Sequence, residues 1–456
     1  MHRRATSSRL RTDSTTMRER VRAAEVILAC ASALVLATGC VPDLPRSRTS
    51  ISRELAGRTG AGLRAQADRA FGIPPGLRVD DSVSVDEAVA IALWNNATFQ
   101  ADLAQLGTAR GDLADAGVLP NPVVALLFPI GAKQLELTVR QPLGAIWQRP
   151  GRVAASRKDA ARIAETLVQR GLEVMRDVQI AYANVLLADR LLSASREAGV
   201  IWNEIADLED ARLRSGDVSR REVESARADA RSAQVAIEQA ATEVEVATGT
   251  LRAILGAPPQ FVLNLVDSPV PPMPGDGAAW TTHALASRPD LRAAKLAIEA
   301  ASERAGLERR RIVDLIGILD INGTGPEIGP GLELPLPIFD QRQGGRIRAR
   351  AELERASWAY LAVRQQIVRE VTEAHARFSR TSAALTTWRT EILPARIEAR
   401  RLAAQGFQSG EESHLVVLDA TRALIDATRR VAELEAENRR AAAALVHATG
   451  GRPYAN

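Results

Sequence analysis

Aromatic residues, cysteines and histidines are scarce in this chain of 456 residues. Aromatics make up 4% of it, and it contains two cysteines and five histidines. The two cysteines, Cys30 and Cys40, offer no disulfide framework, and the scattered histidines argue against a dedicated metal site. With 25% charged and 46% hydrophobic residues, the composition excludes a disordered or collagen-like chain. The long middle stretches are rich in Ala, Leu, Arg and Glu, which favours long helices over a compact α/β enzyme.

Net positive charge is confined to the N-terminus. The whole chain has 59 Lys and Arg against 55 Asp and Glu. Residues 1–39 hold seven arginines and three acids, which leaves 52 residues of each sign in 40–456. A nucleic-acid partner therefore has no net electrostatic support.

The first 39 residues are predicted to be a signal peptide. Three arginines between positions 18 and 22 precede a 13-residue apolar run, Val26–Thr38. Such a run is too short to span a bilayer, which takes about 20 residues, and it is typical of a secretion signal. Met17 is an alternative start that would give a better-proportioned signal.

Cys40 is predicted to carry a lipid anchor. The segment Leu36–Cys40 resembles a bacterial lipobox, in which the signal is cut before the cysteine and the thiol is acylated. Val41, in place of an Asp, follows the cysteine, which implies sorting to the outer membrane. Residues 40–80 would then form a lipidated N-terminal tether. The alternative is an ordinary signal peptide followed by an incidental cysteine.

The chain contains an internal repeat with a spacing of 192–194 residues. Three blocks recur in the same order: Ala92–Ala97 with Ala284–Pro289, Gln141–Arg152 with Leu334–Arg346, and Arg214–Ser219 with Gln408–Ser413. We therefore predict repeat 1 over 81–258 and repeat 2 over 278–450. The Pro-rich segment 259–277 is predicted to be a linker, and 451–456 a C-terminal tail.

Each repeat is predicted to hold a helix, a β-hairpin, a very long helix and a last helix. The predicted helices are 85–117, 153–214, 219–255, 278–310, 346–408 and 413–448. Equivalent turns predict helix ends at Gly216 and Gly410 and caps at Ser219 and Ser413, while Asp81 or Ser84, with Glu87, can cap the first helix. A helix of about 60 residues is roughly 90 Å long, so the long helices must pack as antiparallel coiled-coil pairs.

Short alternating runs predict two β-hairpins. The expected strands are 121–128, 134–140, 314–321 and 331–336, with turns at 131–133 and 322–326. Leu135, Leu137 and Val139 would face lipid, and Gln134, Glu136, Thr138 and Arg140 a wet lumen. Four strands cannot close a membrane barrel, whereas three chains would supply twelve. The soluble alternative is that the hairpins cap a helical bundle.

This order of elements resembles the TolC-type outer-membrane efflux channels, and within them the lipoprotein branch. The motifs that carry the resemblance are Ala92–Asn96, Leu119–Pro122, Leu334–Gly344 and Gly410–Arg422. The resemblance covers about 80–450. It implies a mainly α-helical fold with a small membrane β part, in two tandem repeats. Three copies would form a 12-stranded β-barrel in the outer membrane and an α-helical tunnel in the periplasm.

The resemblance also implies partners and site residues. A periplasmic adaptor (membrane fusion) protein and an inner-membrane pump of the RND type would dock with the homotrimer, and outer-membrane lipid would surround it. The tip turns that contact the adaptor would contain Ser215, Gly216, Asp217, Ser409, Gly410 and Glu411.

A pore constriction is expected from acids near the second tip turn. Asp419 matches one inward acid of the family, but its usual companion is replaced by Val416. Glu222 stands at the equivalent position of repeat 1. We therefore expect Asp419 and Glu222 to share a ring that repels anions and has raised pKa values. The alternatives are a solvated helix face for Glu222, and a local cap or an ion pair with Arg422 for Asp419.

The expected function is a passive exit duct of a tripartite efflux system. The block Leu334–Gly344 is similar to the heavy-metal efflux branch, which favours metal cations as the exported substrate. The alternatives are a duct for drugs or other organic solutes and a periplasmic adaptor lipoprotein. An adaptor would need β-rich domains that two full helical repeats leave little room for. No grouping of residues supports an enzyme, a cofactor or a metal site in this chain.

Overall fold

The computed structural model describes residues 43–65, 70–77, 82–128, 135–273, 275–322 and 327–452. The predicted signal peptide, Cys40 and the candidate cap Asp81 lie outside these ranges, as do Gln134 and most of the two hairpin turns. The chain divides into two compact units. Of the described residues, the sheet unit comprises 43–44, 109–159 and 299–354, and the helical unit comprises the rest.

Helices account for most of the described residues, and the first six belong to the N-terminal half. They are α1 Arg48–Thr59, α2 Val85–Asn95, α3 Ala97–Leu103, α4 Gln105–Gly117, α5 Gly144–Ser215 and α6 Arg220–Leu255. The single helix predicted over 85–117 is thus three helices. Its first break falls at Asn96, whose side chain accepts a hydrogen bond from Phe99 N (2.9 Å) and donates one to Ile254 O (2.8 Å). An Asn that bonds backbone groups on two helices caps a new helix rather than continuing the old one.

The C-terminal half repeats this order with more interruptions. Its helices are α7 Gly277–Ser287, α8 Pro289–Arg310, α9 Gln343–Thr387, a π-helix Trp388–Ile392, α10 Leu393–Ser409 and α11 His414–Ala448. The helix predicted over 346–408 is therefore divided by the π-helix. Pro394 lies just after it and cannot donate the next helical hydrogen bond, and its ring crowds the carbonyl of Thr390. Pro289 likewise stands at the first position of α8 and separates it from α7.

The four strands form one antiparallel sheet in the order β1-β2-β3-β4. The strands are β1 Val123–Leu127, β2 Glu136–Pro142, β3 Ile316–Asn322 and β4 Glu327–Glu333. Strand β4 is shifted from the predicted 331–336 and ends before Leu334. It contains Pro330, which an edge strand tolerates because one side of that strand needs no ladder donor.

The two faces of the sheet differ in polarity, as the alternation predicts. The register pairs Leu126 with Leu137 and Leu137 with Ile321, so one face is apolar across three strands. On the opposite face Thr138 pairs with Asp320, and the Thr138 hydroxyl donates a hydrogen bond to the Asp320 carboxylate (2.5 Å).

The described residues of the helical unit form three separate apolar clusters. The largest one belongs to the N-terminal half and contains the fully buried Ile91, Leu93, Leu172 and Leu251. The second belongs to the C-terminal half and contains Ile367 and five alanines together with Trp280 and Phe378. The third is small and joins Ile205 and Ala206 of α5 to Ala226 and Ala230 of α6. In the described part of the chain, every helix falls short of the length or the apolar character that a bilayer crossing requires.

Helix α1 lies within residues 40–80, where the sequence predicts only a tether. Ser47 caps its start by accepting a hydrogen bond from Ser50 N, and Gly60 (φ 82°) ends it. Ile51 and Leu55 are fully buried, and Leu55 packs so closely on Gly171 that a Cβ there would lie 2.6 Å from Leu55 Cδ2. Two apolar positions one turn apart are too weak a pattern to predict such a helix from the sequence.

An ion-pair network holds α1 against α5 and α8. Glu54 pairs with Arg46, Arg58 and Arg292, and Glu165 pairs with Arg46 (2.6 Å) and Arg292 (2.5 Å). Burial opposes the ionised form of Glu54, but the hydrogen bond from Arg46 and the charges of Arg292 and Arg58 outweigh it and lower the pKa of Glu54 to about 2. This network therefore ties the N-terminal segment to both halves of the helical unit.

Candidate functional site

The two predicted tip turns are exposed and have closely similar backbones. Gly216 (φ 84°) and Gly410 (φ 80°) both adopt the left-handed conformation that ends a helix. Asp217 N donates to Arg212 O (2.9 Å), and Glu411 N donates to Gly406 O (2.8 Å). A Cβ added at either glycine would meet no atom within 4 Å, so both turns project into open space.

Two cation–π contacts join the hairpins of the two halves near these turns. Arg212 of α5 lies over the ring of Phe407 of α10, with 5.9 Å between the guanidinium carbon and the ring centroid. Farther from the turns, Arg422 of α11 lies over Trp202 of α5 at 5.1 Å. The two tip turns therefore lie side by side in one chain.

The serines after the two turns behave differently, although the sequence predicts the same role for both. Ser219 and Glu222 form a reciprocal capping box: Ser219 N and Oγ donate to the Glu222 carboxylate (2.7 and 2.8 Å), and Glu222 N donates to Ser219 Oγ (3.4 Å). Ser413 occupies the cap position of α11 but makes no side-chain cap hydrogen bond. Val416 stands where Glu222 does in the first half, so the reciprocal carboxylate is missing there.

The capping box sets the charge state of Glu222 in the single chain. Hydrogen bonds from the Ser219 backbone and hydroxyl lower the pKa of Glu222. Glu222 is therefore an exposed, ionised carboxylate that is already bound at the helix start. The raised pKa expected for a ring of three copies concerns the assembly and stays a prediction.

Asp419 is exposed on the second turn of α11. The ion pair considered between Asp419 and Arg422 is not formed, because Arg422 binds Asp229 of α6 instead (3.0 Å). Among the residues that the structure describes, Asp419 has no ion-pair partner. Its carboxylate is thus available for a role that the single chain does not use.

The pairing of Arg422 with Asp229 was not predicted from the sequence. The two residues are 193 positions apart, which is the repeat spacing. Equivalent positions of two similar hairpins come to face each other when the hairpins pack in a quasi-symmetric way. A search for opposite charges one repeat apart would have found this pair.

A second charged cluster lies where the π-helix interrupts the long helix. Glu435 of α11 is 4% exposed and binds both Arg190 of α5 and Arg389 of the π-helix. Asp267 in turn binds Arg190 and Arg439. Because a buried carboxylate is costly unless it is paired, this cluster fixes the π-helix against the N-terminal half.

No cluster of three or more His, Cys, Asp or Glu side chains that could hold a metal ion occurs within the described ranges. The residues singled out above supply charge, helix caps and turns. The features that the two halves share are thus a sheet with one apolar face and two helical hairpins that end in exposed turns.

Comparison with known proteins identifies this fold. A family model described as outer membrane efflux protein matches residues 127–257 and 323–451. The chain belongs to the outer membrane efflux protein family, and the predicted resemblance to TolC-type channels is confirmed. Members of this family are channels, not enzymes. Each of the two matched segments falls in one half of the chain, which agrees with the tandem repeat.

Individual relatives support the same assignment. The cobalt-zinc-cadmium resistance protein CzcC of Cupriavidus metallidurans is 26% identical over 360 residues, which cover 76% of this chain and 85% of CzcC. The pyoverdine export outer membrane protein OpmQ of Pseudomonas putida is 24% identical over 310 residues, covering 63% of this chain and 61% of OpmQ.

A solved structure of CusC, from a study of transmembrane channel formation, has the same fold. The superposition has a TM-score of 0.69 at 18% sequence identity, and it includes 86% of this chain and 98% of the CusC chain. The predicted fold class, mainly α-helical with a small sheet in two tandem repeats, is thereby confirmed.

Proposed function

We propose that this chain is the outer-membrane exit duct of a tripartite efflux system and works as a homotrimer. The observation that carries the proposal is the four-stranded sheet, whose described edge strands β1 and β4 have no further partner in the chain. Exposed edges and exposed side chains of the apolar face, such as Val124 (58%) and Leu126 (47%), are unfavourable in water. Edge-to-edge pairing of three sheets in the lipid of the outer membrane would remove both penalties.

The exposed tip turns are the proposed contact with a periplasmic adaptor. The residues concerned are Ser215, Gly216, Asp217, Ser409, Gly410 and Glu411, all of them exposed. Their open surroundings leave room for a helical partner, and the two cation–π contacts hold the turns at a fixed spacing. The adaptor would in turn connect the duct to an inner-membrane pump of the RND type.

Asp419 and Glu222 are the proposed constriction residues. Both are exposed acids within two turns of a helix start that follows a tip turn. Asp419 is supported better, because its carboxylate has no described ion-pair partner, whereas Glu222 is engaged by Ser219. Three copies around a symmetry axis would favour the passage of cations.

Metal cations are the proposed substrate. The support is the similarity to a protein named for cobalt, zinc and cadmium resistance, which covers most of both chains. The second candidate is export of an organic solute, which the weaker and shorter similarity to a pyoverdine export protein favours. Lipid anchoring at Cys40 is part of the proposal and rests on the lipobox-like segment Leu36–Cys40.

The experiment that tests the duct is purification from membranes, followed by mass measurement and planar-bilayer recording. We expect a detergent-extracted mass near three protomers and discrete conductance steps once the tip is opened or shortened. A stable monomer recovered from the soluble periplasm would contradict the proposal.

A further inference from the structure

Three chain segments meet at one end of the sheet in the sheet unit. The register places Pro142, Ile316 and Glu333 side by side, so β2 and β4 end where β3 begins. The backbone N–H groups of Leu143 and Gly144 both donate to Leu315 O (2.8 and 3.0 Å). Helix α8 therefore reaches the sheet at the end from which α5 and α9 leave it.

The starts of α5 and α9 both contact the end of α8. A Cβ at Gly151 of α5 would lie 3.4 Å from Leu307 Cδ1, and a Cβ at Gly345 of α9 would lie 2.5 Å from the Glu308 carboxylate. The three segments 144–158, 304–311 and 340–350 are thus neighbours. We refer to them together as the arginine collar.

The arginine collar is strongly basic, although the formal charges of residues 40–456 sum to zero. Its three segments contain twelve Lys and Arg but only two acids, Glu308 and Asp340. Burial, together with the charges of Arg311 and Arg149, lowers the pKa of Arg152. The excess of basic over acidic residues in these neighbouring segments makes the collar attractive to anions.

Some of these basic side chains are bound within the chain, and the others form no ion pair. Arg149 and Arg152 donate to the carbonyls of Gly117 (2.5 Å) and Val118 (3.0 Å), and Arg311 binds Glu308 (2.6 Å). Lys158 and Arg304 are paired with Glu299 and Asp159, which lie just outside the three segments. The other seven arginines of the collar are exposed and form no ion pair with a described residue: Arg157, Arg309, Arg310, Arg342, Arg346, Arg348 and Arg350.

In both halves, exposed apolar side chains follow a strand and precede the arginines of the collar along the chain. After β2 come Ile146 (52% exposed) and Trp147 (36%), and after β4 come Ile338 (67%) and Phe339 (93%). The order apolar strand, aromatic residue, arginine is the order of a membrane–water interface, where aromatic rings sit at headgroup level and arginines reach the phosphates.

We propose that the arginine collar binds the phosphate headgroups of anionic phospholipids in the membrane leaflet next to the helices. The proposal rests on the outer-membrane duct proposed above, which places the sheet in the bilayer. The exposed arginines supply charge and hydrogen-bond donors that match phosphate oxygens, while Trp147 and Phe339 lie at headgroup level. Three copies would form a continuous basic ring around the duct.

The test measures lipid retention by the full-length protein purified in detergent. Native mass spectrometry counts phosphatidylglycerol and phosphatidylcholine molecules that remain bound after equal additions of each. The neutralised variant is Arg309→Gln, Arg310→Gln, Arg346→Gln and Arg350→Gln. Its matched control changes four exposed arginines of the helical unit: Arg220→Gln, Arg221→Gln, Arg231→Gln and Arg396→Gln.

The wild type and the control are expected to retain phosphatidylglycerol at least tenfold over phosphatidylcholine. The neutralised variant should keep less than a twofold preference, and 1 M salt should reduce the wild-type preference to a similar level. Equal retention by all three proteins would overturn the collar proposal. Lipopolysaccharide is added in a parallel sample; if it is retained in preference to phosphatidylglycerol, the proposal is also overturned, because that lipid belongs to the opposite leaflet.

Mass and conductance of the same samples in neutral bilayers separate this proposal from the duct itself. A conducting trimer without a preference for phosphatidylglycerol would support the duct and overturn the proposal for the collar. A chain that neither trimerises nor conducts overturns both.

Discussion

Acid is predicted to destabilise the helical unit through one buried histidine. His447, at the end of α11, is 9% exposed, and its Nε2 lies 3.1 Å from Gln169 Nε2 of α5. Burial, followed by the nearby charges of Arg176 and Arg288, lowers the pKa of His447 to about 4, although Glu370 and Asp290 act in the opposite direction. The imidazole is therefore neutral in the folded chain at pH 7.

The sign of the effect follows from the two protonation equilibria. An unfolded histidine has a pKa of about 6.5. Between that pH and the folded-state pKa of about 4, His447 is protonated in the unfolded state but neutral in the folded state. The contribution of neutral His447 to the free energy of unfolding is fully present above pH 6.5 and is lost as the pH falls towards 4. With these two values the loss reaches about 2 kcal/mol per chain at pH 5 and about 3 kcal/mol once both states are protonated.

The assay compares denaturant unfolding of the purified protein at pH 8 and pH 5. The variant His447→Gln removes the titrating group, and His283→Gln changes an exposed histidine of α7 as the control. The wild type and the control should each lose about 2 kcal/mol per chain more than His447→Gln between the two pH values. If all three proteins lose the same stability, the buried-histidine reasoning is refuted.

Three further perturbations follow from the described contacts. Ser219→Ala should lower the free energy of unfolding by about 1 kcal/mol and speed hydrogen exchange in the first turn of α6 about fivefold. Ser413→Ala should leave the stability and exchange of α11 unchanged. Equal effects of the two substitutions would contradict the difference in capping. Glu435→Ala leaves Arg190 and Arg389 without their acceptor and should lower the free energy of unfolding by about 2 kcal/mol, less than for a fully buried pair because both arginines are partly exposed. Faster proteolysis near the π-helix would show this loss. A change no larger than that of Glu433→Ala would argue against it. Asp419→Asn should lower the cation selectivity of the trimer in planar bilayers, and unchanged selectivity would remove Asp419 from the constriction.

Features that recur in both halves of the sequence could be predicted well. The spacing of 192–194 residues revealed the tandem repeat, and Gly216 and Gly410 gave the tip turns because left-handed backbone favours glycine. The Ser84–Glu87 capping box was also visible, since it depends on residues three positions apart.

Features that depend on long-range packing were not predicted. Helix α1 is stabilised by burial of Ile51 and Leu55 and by ion pairs to distant residues, which its own sequence does not show. The π-helix arises where Pro394 meets a cluster around Glu435 that draws on separate parts of the chain. The same limit explains why Ser413 was expected to cap α11 as Ser219 caps α6: the decisive difference is the partner residue, Val416 instead of Glu222.

The most direct test of the account is the growth of a clean deletion strain of the native host on a panel of inhibitors. The panel holds zinc, cobalt, cadmium, copper and silver salts beside dyes, detergents and antibiotics, with the intact gene supplied in trans as the control. A metal-exporting duct predicts hypersensitivity confined to the metal salts and reversed by the intact gene. Sensitivity to drugs and detergents with normal metal tolerance would contradict metal export and assign the channel to organic solutes.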